Sequence, residues 1–180
     1  MTSRTLYSCT MSLDGFIAGP GGDMQWLTKH LGPNPVAEGL VPRIGSLLVG
    51  RRTFGGDDPN RGTDHEGAFG GQWHGPSFVL THRPPETEVP DTTFVTDLEA
   101  GVAAARAAAG GRYVNVLGAD VARQCLAAGV LDEVLVLVAP QLLGDGTRLF
   151  DWPGGHSVDL RPRELSHTHG TAHLWYDVVR

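Results

Sequence analysis

Two short stretches combine residue types suited to holding a phosphate. Gly50-Arg51-Arg52-Thr53 follows the apolar run Ser46-Leu47-Leu48-Val49. Gly118-Ala119-Asp120-Val121 follows Arg112-Tyr113-Val114-Asn115-Val116-Leu117, a second run of strand-forming residues. A strand that turns on glycine into a helix aims backbone N–H groups outward, and those groups bind anions. A third strand, Ser77 to Thr81, ends before Arg83-Pro84-Pro85. In α/β sheets, ligands sit beyond the carboxyl ends of the strands. Gly50, Thr81 and Gly118 all occupy such positions, which implies one phosphorylated ligand spanning three strand ends. Other groups could move a proton. Asp14 is either a proton donor or a turn residue bonding its own backbone before Gly15. Glu38 is either catalytic or a solvated helix residue. No Ser/His/Asp or Cys/His arrangement is legible, and neither Cys9 nor Cys125 sits beside an activating group.

The elements that must position these residues follow from periodicity. Strands are expected over Thr5–Met11, over Leu13–Ala18 past a kink, over Thr92–Val95, and over Glu133–Ala139. Val36, Leu40, Val41 and Ile44 have helical spacing, interrupted by Pro42. Leu98–Ala109 is Ala-rich and stops at Gly110-Gly111, and a further helix runs from Val121 to Ala128. Glu164–Thr168 and Ala172–Val179 alternate around His169-Gly170-Thr171, the pattern of a hairpin. Strands alternating with helices predict an α/β fold with a mainly parallel central sheet. Helices would cover both faces, and an antiparallel C-terminal hairpin would close one edge. His167, His169 and His173 share parity and would face one way, but Gly170 breaks the spacing that a metal shell requires, so no metal is expected. Residues 55–76 lack periodicity and read as a functional lid or a surface loop.

Composition narrows the class. With 180 residues, 41% hydrophobic and 19% charged, the chain reads as one domain over residues 1–180. A net charge of −6 argues against nucleic acid and anionic membrane as partners. Two distant cysteines, no signal-like N-terminus and no long apolar stretch point to the cytoplasm.

Several segments, in this order, resemble the dihydrofolate reductase-like superfamily. The nearest branch contains the C-terminal reductase domain of the riboflavin-pathway deaminase/reductase and its stand-alone bacterial relatives. The segments are Ser12-Leu13-Asp14-Gly15-Phe16-Ile17-Ala18, Asp23-Met24-Gln25-Trp26, Gly50-Arg51-Arg52-Thr53-Phe54, Val79-Leu80-Thr81-His82-Arg83, Gly118 to Gln124 and Ala139 to Phe150. The resemblance implies NADPH as cofactor, a homodimer built partly from the C-terminal strands, and hydride transfer to a small cyclic or heterocyclic substrate. It gives Gly50, Arg51, Arg52 and Thr53 to the pyrophosphate and the adenosine-side phosphate. It gives Thr81, His82 and Arg83 to the 2′-phosphate, where a guanidinium fork suits a dianion. Leu117, Gly118, Ala119, Asp120 and Val121 would lie against the pyrophosphate and the nicotinamide ribose, with Thr10, Ile17 and Ala18 flanking the nicotinamide. No acid has a clear claim as proton donor, which leaves water as a source; among side chains Asp14 would be the first candidate and Glu38 a distant second. Riboflavin-pathway reductases carry an acid and two glycines where Val116, Leu117 and Gly118 stand, and a Lys where Phe16 stands. Both differences remove polar groups that would meet a ribosylaminouracil. The crowding that Leu117 could cause motivates an alternative, a catalytically inactive NADP-binding homodimer.

Overall fold

The computed structural model describes residues 2–180. The first half of the chain contributes β1 (Thr5–Ser12), β2 (Phe16–Ala18), α1 (Pro35–Leu40), β3 (Ile44–Gly50), α2 (Arg51–Phe54), β4 (Ser77–Leu80) and β5 (Thr92–Val95). The second half adds α3 (Leu98–Ala109), β6 (Tyr113–Leu117), α4 (Ala119–Ala127), β7 (Glu133–Ala139), β8 (Thr147–Arg148), β9 (Leu160–Thr168) and β10 (Thr171–Val178). Eight strands form one sheet in the order β5-β4-β3-β6-β1-β7-β10-β9. The five pairings from β5 across to β7 are parallel, and β10 pairs antiparallel with β7 and β9. This is the mainly parallel α/β sheet with a closing hairpin that strand–helix alternation predicts. No helix among the described residues is long and apolar enough to cross a membrane.

The alternation of side chains along each strand separates two apolar layers. On one face Val102, Ala105 and Ala109 of α3, and Val121, Ala122 and Cys125 of α4, pack on Tyr7, Leu48, Val114 and Val116. On the other face Leu40 of α1 and Trp73 of the long loop cover Leu6, Leu47, Val49 and Val79. Leu48, Val114 and Val116 are 0% exposed, and full burial of a side chain of this size contributes about 1.5–3 kcal/mol. The Ala-rich face of α3 allows a close approach, since a Cβ on Gly45 would come within 2.6 Å of Ala109 Cα. Asp97 starts α3 by accepting from Ala100 N at 2.8 Å, and Gly110 ends it in the left-handed region at φ 60°.

Local boundaries differ from expectation for identifiable reasons. The helix read from Val36 to Ile44 stops at Leu40. Pro42 has no N–H to continue the ladder, so Val41–Arg43 tightens into a 3-10 turn and Ile44 opens β3. The extended stretch expected over Leu13–Ala18 is a turn closed by Gly15 N to Ser12 O at 3.0 Å, and only β2 is extended. The three histidines do not face one way. A short connection at His169-Gly170 pairs Thr171 with Thr168, which sets His173 opposite Ser166 and His167 opposite Ala172. His167 and His173 therefore lie on opposite faces. His173 is buried, bonded to Asn34 Nδ2 and Ser166 Oγ at 3.1 Å each.

Candidate functional site

Parallel pairing aligns the carboxyl ends of β3, β4, β6 and β1 at one edge of the sheet. A cleft of about 2150 Å³ opens there. Its walls include Gly50, Arg51, Arg52 and Thr53 at the β3–α2 junction, and Thr81, His82 and Arg83 just past β4. Leu117, Gly118, Ala119, Asp120 and Val121 enter from the β6–α4 junction, and Thr10, Ile17 and Ala18 from β1 and β2. The cofactor-binding candidates thus share one cavity.

The two glycine turns touch each other. A Cβ on Gly118 would lie 2.5 Å from Thr53 Oγ1 and 3.7 Å from the backbone nitrogen of Gly50. A Cβ on Gly50 would in turn press on Val121 Cγ2 at 3.2 Å. Gly118 also has φ 108°, a conformation that side chains rarely tolerate. Glycine is needed at 118 both for the backbone angle and for room beside Thr53. No side chain caps the first turn of α4, which leaves its leading N–H groups to the cleft. Asp120 in that turn accepts from Arg123 at 2.8 Å and from Gln124 at 2.8 Å. The Arg123 bond leads in holding its carboxyl below the usual range, with Arg52 contributing. Beyond β4, buried Thr81 accepts from Arg83 N at 3.0 Å through its hydroxyl, fixing the backbone that carries the Arg83 guanidinium.

Asp14 and Glu38 lie elsewhere: neither forms part of the cleft wall. Asp14 accepts from Ser12 Oγ at 2.6 Å, from Gly144 N at 2.7 Å and from Leu143 N at 3.1 Å. The Ser12 bond, helped by the two backbone donors, lowers its pKa from 3.8 to about 2. It ties the turn after β1 to the loop before β8. Glu38 is exposed and accepts from Asn34 N at 3.1 Å, while Asn34 caps α1 by accepting from Val36 N and Ala37 N.

Tyr7 and Cys9 of β1 also belong to the wall. Burial pushes the Cys9 thiol up to about 12, and burial also raises the Tyr7 phenol, so both stay neutral. The loop over residues 55–76 carries no helix or strand, yet Asp57, Asp58, Arg61 and Phe69 line the cleft. Trp73 anchors the loop by burying its ring and donating to Ile44 O at 3.3 Å. Asp57 Oδ2 accepts from Met24 N at 3.1 Å and Gln25 Nε2 at 3.3 Å, strapping the loop to the segment after β2. The Asp58 carboxylate, which accepts from Asn60 N and Gly67 N at 2.8 Å each, folds the loop on itself. The sequence reading of residues 55–76 as a lid or a surface loop already covers this wall, and Trp73, a large apolar residue within a polar stretch, marks where the loop is held down.

The same architecture occurs in solved structures. A protein of Shewanella sp. PV-4 provisionally assigned to riboflavin biosynthesis shares 25% identity at a TM-score of 0.74, over 100% of both chains. The deaminase/5-amino-6-(5-phosphoribosylamino)uracil reductase of Thermotoga maritima matches at 16% identity and TM-score 0.68. That match covers 99% of this chain and 57% of the Thermotoga chain. The riboflavin biosynthesis reductase of Saccharomyces cerevisiae matches at 15% identity and TM-score 0.63, over 99% of this chain and 90% of the yeast one. The last two likenesses are of fold alone. No curated protein sequence is significantly similar to this chain. The family model of the RibD C-terminal domain matches residues 5–174, from the first residue of β1 into β10 and so through every element of the cleft. By that match, the chain belongs to the RibD C-terminal domain family.

Proposed function

We propose that this protein is an NADPH-dependent reductase of a small nitrogen heterocycle of the pyrimidine or pteridine type. The carrying observation is the contact between the two glycine turns, which makes one anion cradle from segments far apart in sequence. The donor set suits an NADP-type ligand. Uncapped N–H groups of α4, with Arg51, Arg52 and Thr53 alongside, would hold the pyrophosphate. Arg83 and His82, anchored through Thr81, would take the 2′-phosphate, which NADH lacks. Thr10, Ile17 and Ala18 would orient the nicotinamide. When bound, the cofactor would supply a hydride from its C4 position. The protein's own part is placement and exclusion of water.

The proton source is solvent in this reading. Asp14 is fully occupied by three donors and ionised at neutral pH, so it has no proton to give. Glu38 faces solvent at the start of α1. The side chain of Leu117 packs against the layer containing Leu47 and Val49, which takes up apolar surface that could otherwise crowd a ribose. The nine-residue edge strand β9 leaves Leu160 45% and Leu165 58% exposed. Such edges are ordinarily covered, and a second copy of the chain is the cover proposed here.

The test is NADP+ titration followed by NADPH oxidation with dihydrofolate and with 5-amino-6-ribosylaminouracil. Saturable NADP+ binding together with NADPH consumption on a heterocycle is expected. Absence of NADP+ binding would overturn the reading, and tight binding without turnover on heterocyclic substrates would reduce it to a binding protein.

A further inference from the structure

We infer that His173 is a positioning residue for the cleft. As a neutral imidazole with its proton on Nδ1, it holds Asn34 and so fixes residues 24–34, a strap that forms part of the cleft wall; protonation releases the strap. The inference rests on the reading of this cleft as the ligand site and adds a control on its shape. Met24, Leu27 and Leu31 of the strap line the cleft. The strap includes the 3-10 turn Gln25–His30 with buried Trp26, and it leads into α1. At its start Asp57 Oδ2 accepts from Met24 N and Gln25 Nε2. At its far end two imidazoles tie it down: His30 Nε2 lies 2.8 Å from Gln141 Oε1, and His173 Nε2 lies 3.1 Å from Asn34 Nδ2.

The Asn34 amide has one orientation open to it. Its Oδ1 accepts from Val36 N at 3.1 Å and from Ala37 N at 3.2 Å, the cap that starts α1. Its Nδ2 group therefore donates to His173, and His173 Nε2 must accept. The ring proton is left on Nδ1, which donates to Ser166 Oγ at 3.1 Å. A second proton on Nε2 would set donor against donor beside a residue that is 2% exposed, where an unmet donor is costly. Asn34 would then have to turn, giving up the cap on the helix that buries Leu40. His30 is different, because Gln141 Oε1 accepts from its ring in either charge state. Burial leads in lowering the His173 pKa from 6.5; Glu164 of β9 opposes the shift and His167 of β9 adds to it. Opposite His173, β7 presents Leu137. Glu38 of α1 accepts from Asn34 N at 3.1 Å, and the strap itself carries His30 and the exposed Lys29. With the folded pKa below the ordinary one, the contribution of neutral His173 is complete above 6.5 and lost as pH falls through the folded value.

The test compares the intact parent with His173→Gln, whose side-chain oxygen accepts a hydrogen bond at every pH. Long-range proton–nitrogen NMR should find His173 of the parent in the Nδ1–H form at pH 7.5. In hydrogen exchange corrected for the intrinsic effect of pH, residues 24–40 of the parent should lose about fivefold in protection between pH 7.5 and pH 5, the size of a lost helix cap. Over the same range α3 should keep its protection. His173→Gln should match the parent at pH 7.5 and hold that protection at pH 5. NADP+ affinity should weaken about threefold more on acidification in the parent than in His173→Gln; the titrations of His82 and of the ligand phosphates are common to both proteins and cancel. An Nε2–H tautomer, or the same pH dependence of exchange in both proteins, would overturn the inference. So would a loss of protection with no difference in NADP+ affinity, which would leave His173 a purely structural residue. Failure of NADP+ to bind at any pH would count against the reductase reading, while the tautomer and the exchange data would still decide whether His173 holds the strap.

Discussion

Replacing Gly118 by alanine is expected to damage stability and cofactor binding together, and the structure sets the size of the first effect. The backbone at this position has φ 108° and ψ 133°, which only glycine adopts freely. Holding another residue there costs about 1–3 kcal/mol. The new Cβ would also meet Thr53 Oγ1 at 2.5 Å, too close to keep. Turning the exposed Thr53 hydroxyl out of the way adds about 0.5–1.5 kcal/mol. The total is about 1.5–4.5 kcal/mol. The second contribution should be recoverable. Thr53→Ala removes the hydroxyl and leaves the Thr53 Cβ at 3.5 Å, an ordinary contact distance. In a double-mutant cycle read by urea unfolding, Gly118→Ala with Thr53→Ala should be about 1 kcal/mol more stable than the sum of the single changes. NADP+ affinity should stay low in both variants carrying the alanine at 118, because the α4 N–H groups remain displaced. A cycle additive within about 0.5 kcal/mol, or a Gly118→Ala protein as stable as the parent, would refute the reasoning.

Two further predictions concern the frame around the site. Gly45→Ala should destabilise at the top of the range of about 1–3 kcal/mol for overpacking, because its Cβ would meet backbone atoms of Ala109 that cannot swing aside; thermal unfolding measures it. Asp14 has a folded pKa of about 2 against an ordinary 3.8, so its contribution is present above the ordinary value and lost as pH falls toward 2. Asp14→Asn should therefore flatten the acid limb of stability between those values and leave NADP+ affinity unchanged, as urea midpoints at pH 5 and pH 2.5 together with a titration at pH 7 would show.

Much of this architecture is legible in the sequence. Runs such as Tyr113–Leu117 and Glu133–Ala139 are buried on both faces and so read as continuous apolar strands. The positions of Gly50, Thr81 and Gly118 at strand ends followed from the same reading. Pro42 was visible as an interruption, but nothing local says that the chain turns from helix to strand within two residues of it. The early part of β9 was missed because an edge strand facing solvent shows little alternation, and Leu160–Arg163 is exposed throughout. The histidine parity depended on the length of the turn, which sets the pairing register. The contact between Gly118 and Thr53 inside the site, and the bond of His173 to Asn34 behind its wall, join residues from different elements. Spacing along one chain carries no signal for such contacts. At Asp14 the Asp-Gly signal marks the turn, but its carboxylate accepts from Leu143 N and Gly144 N, partners far along the chain that local spacing does not reveal.

The most direct measurement of the central claim is the ratio of NADP+ to NAD+ affinity in the parent protein and in Arg83→Ala. A charged hydrogen bond contributes about 1.5–3 kcal/mol, so the parent should prefer NADP+ by at least about tenfold. Arg83→Ala should remove most of that preference by weakening NADP+ alone. Equal affinities in the parent, or a preference untouched by the substitution, would contradict the assignment of this cleft.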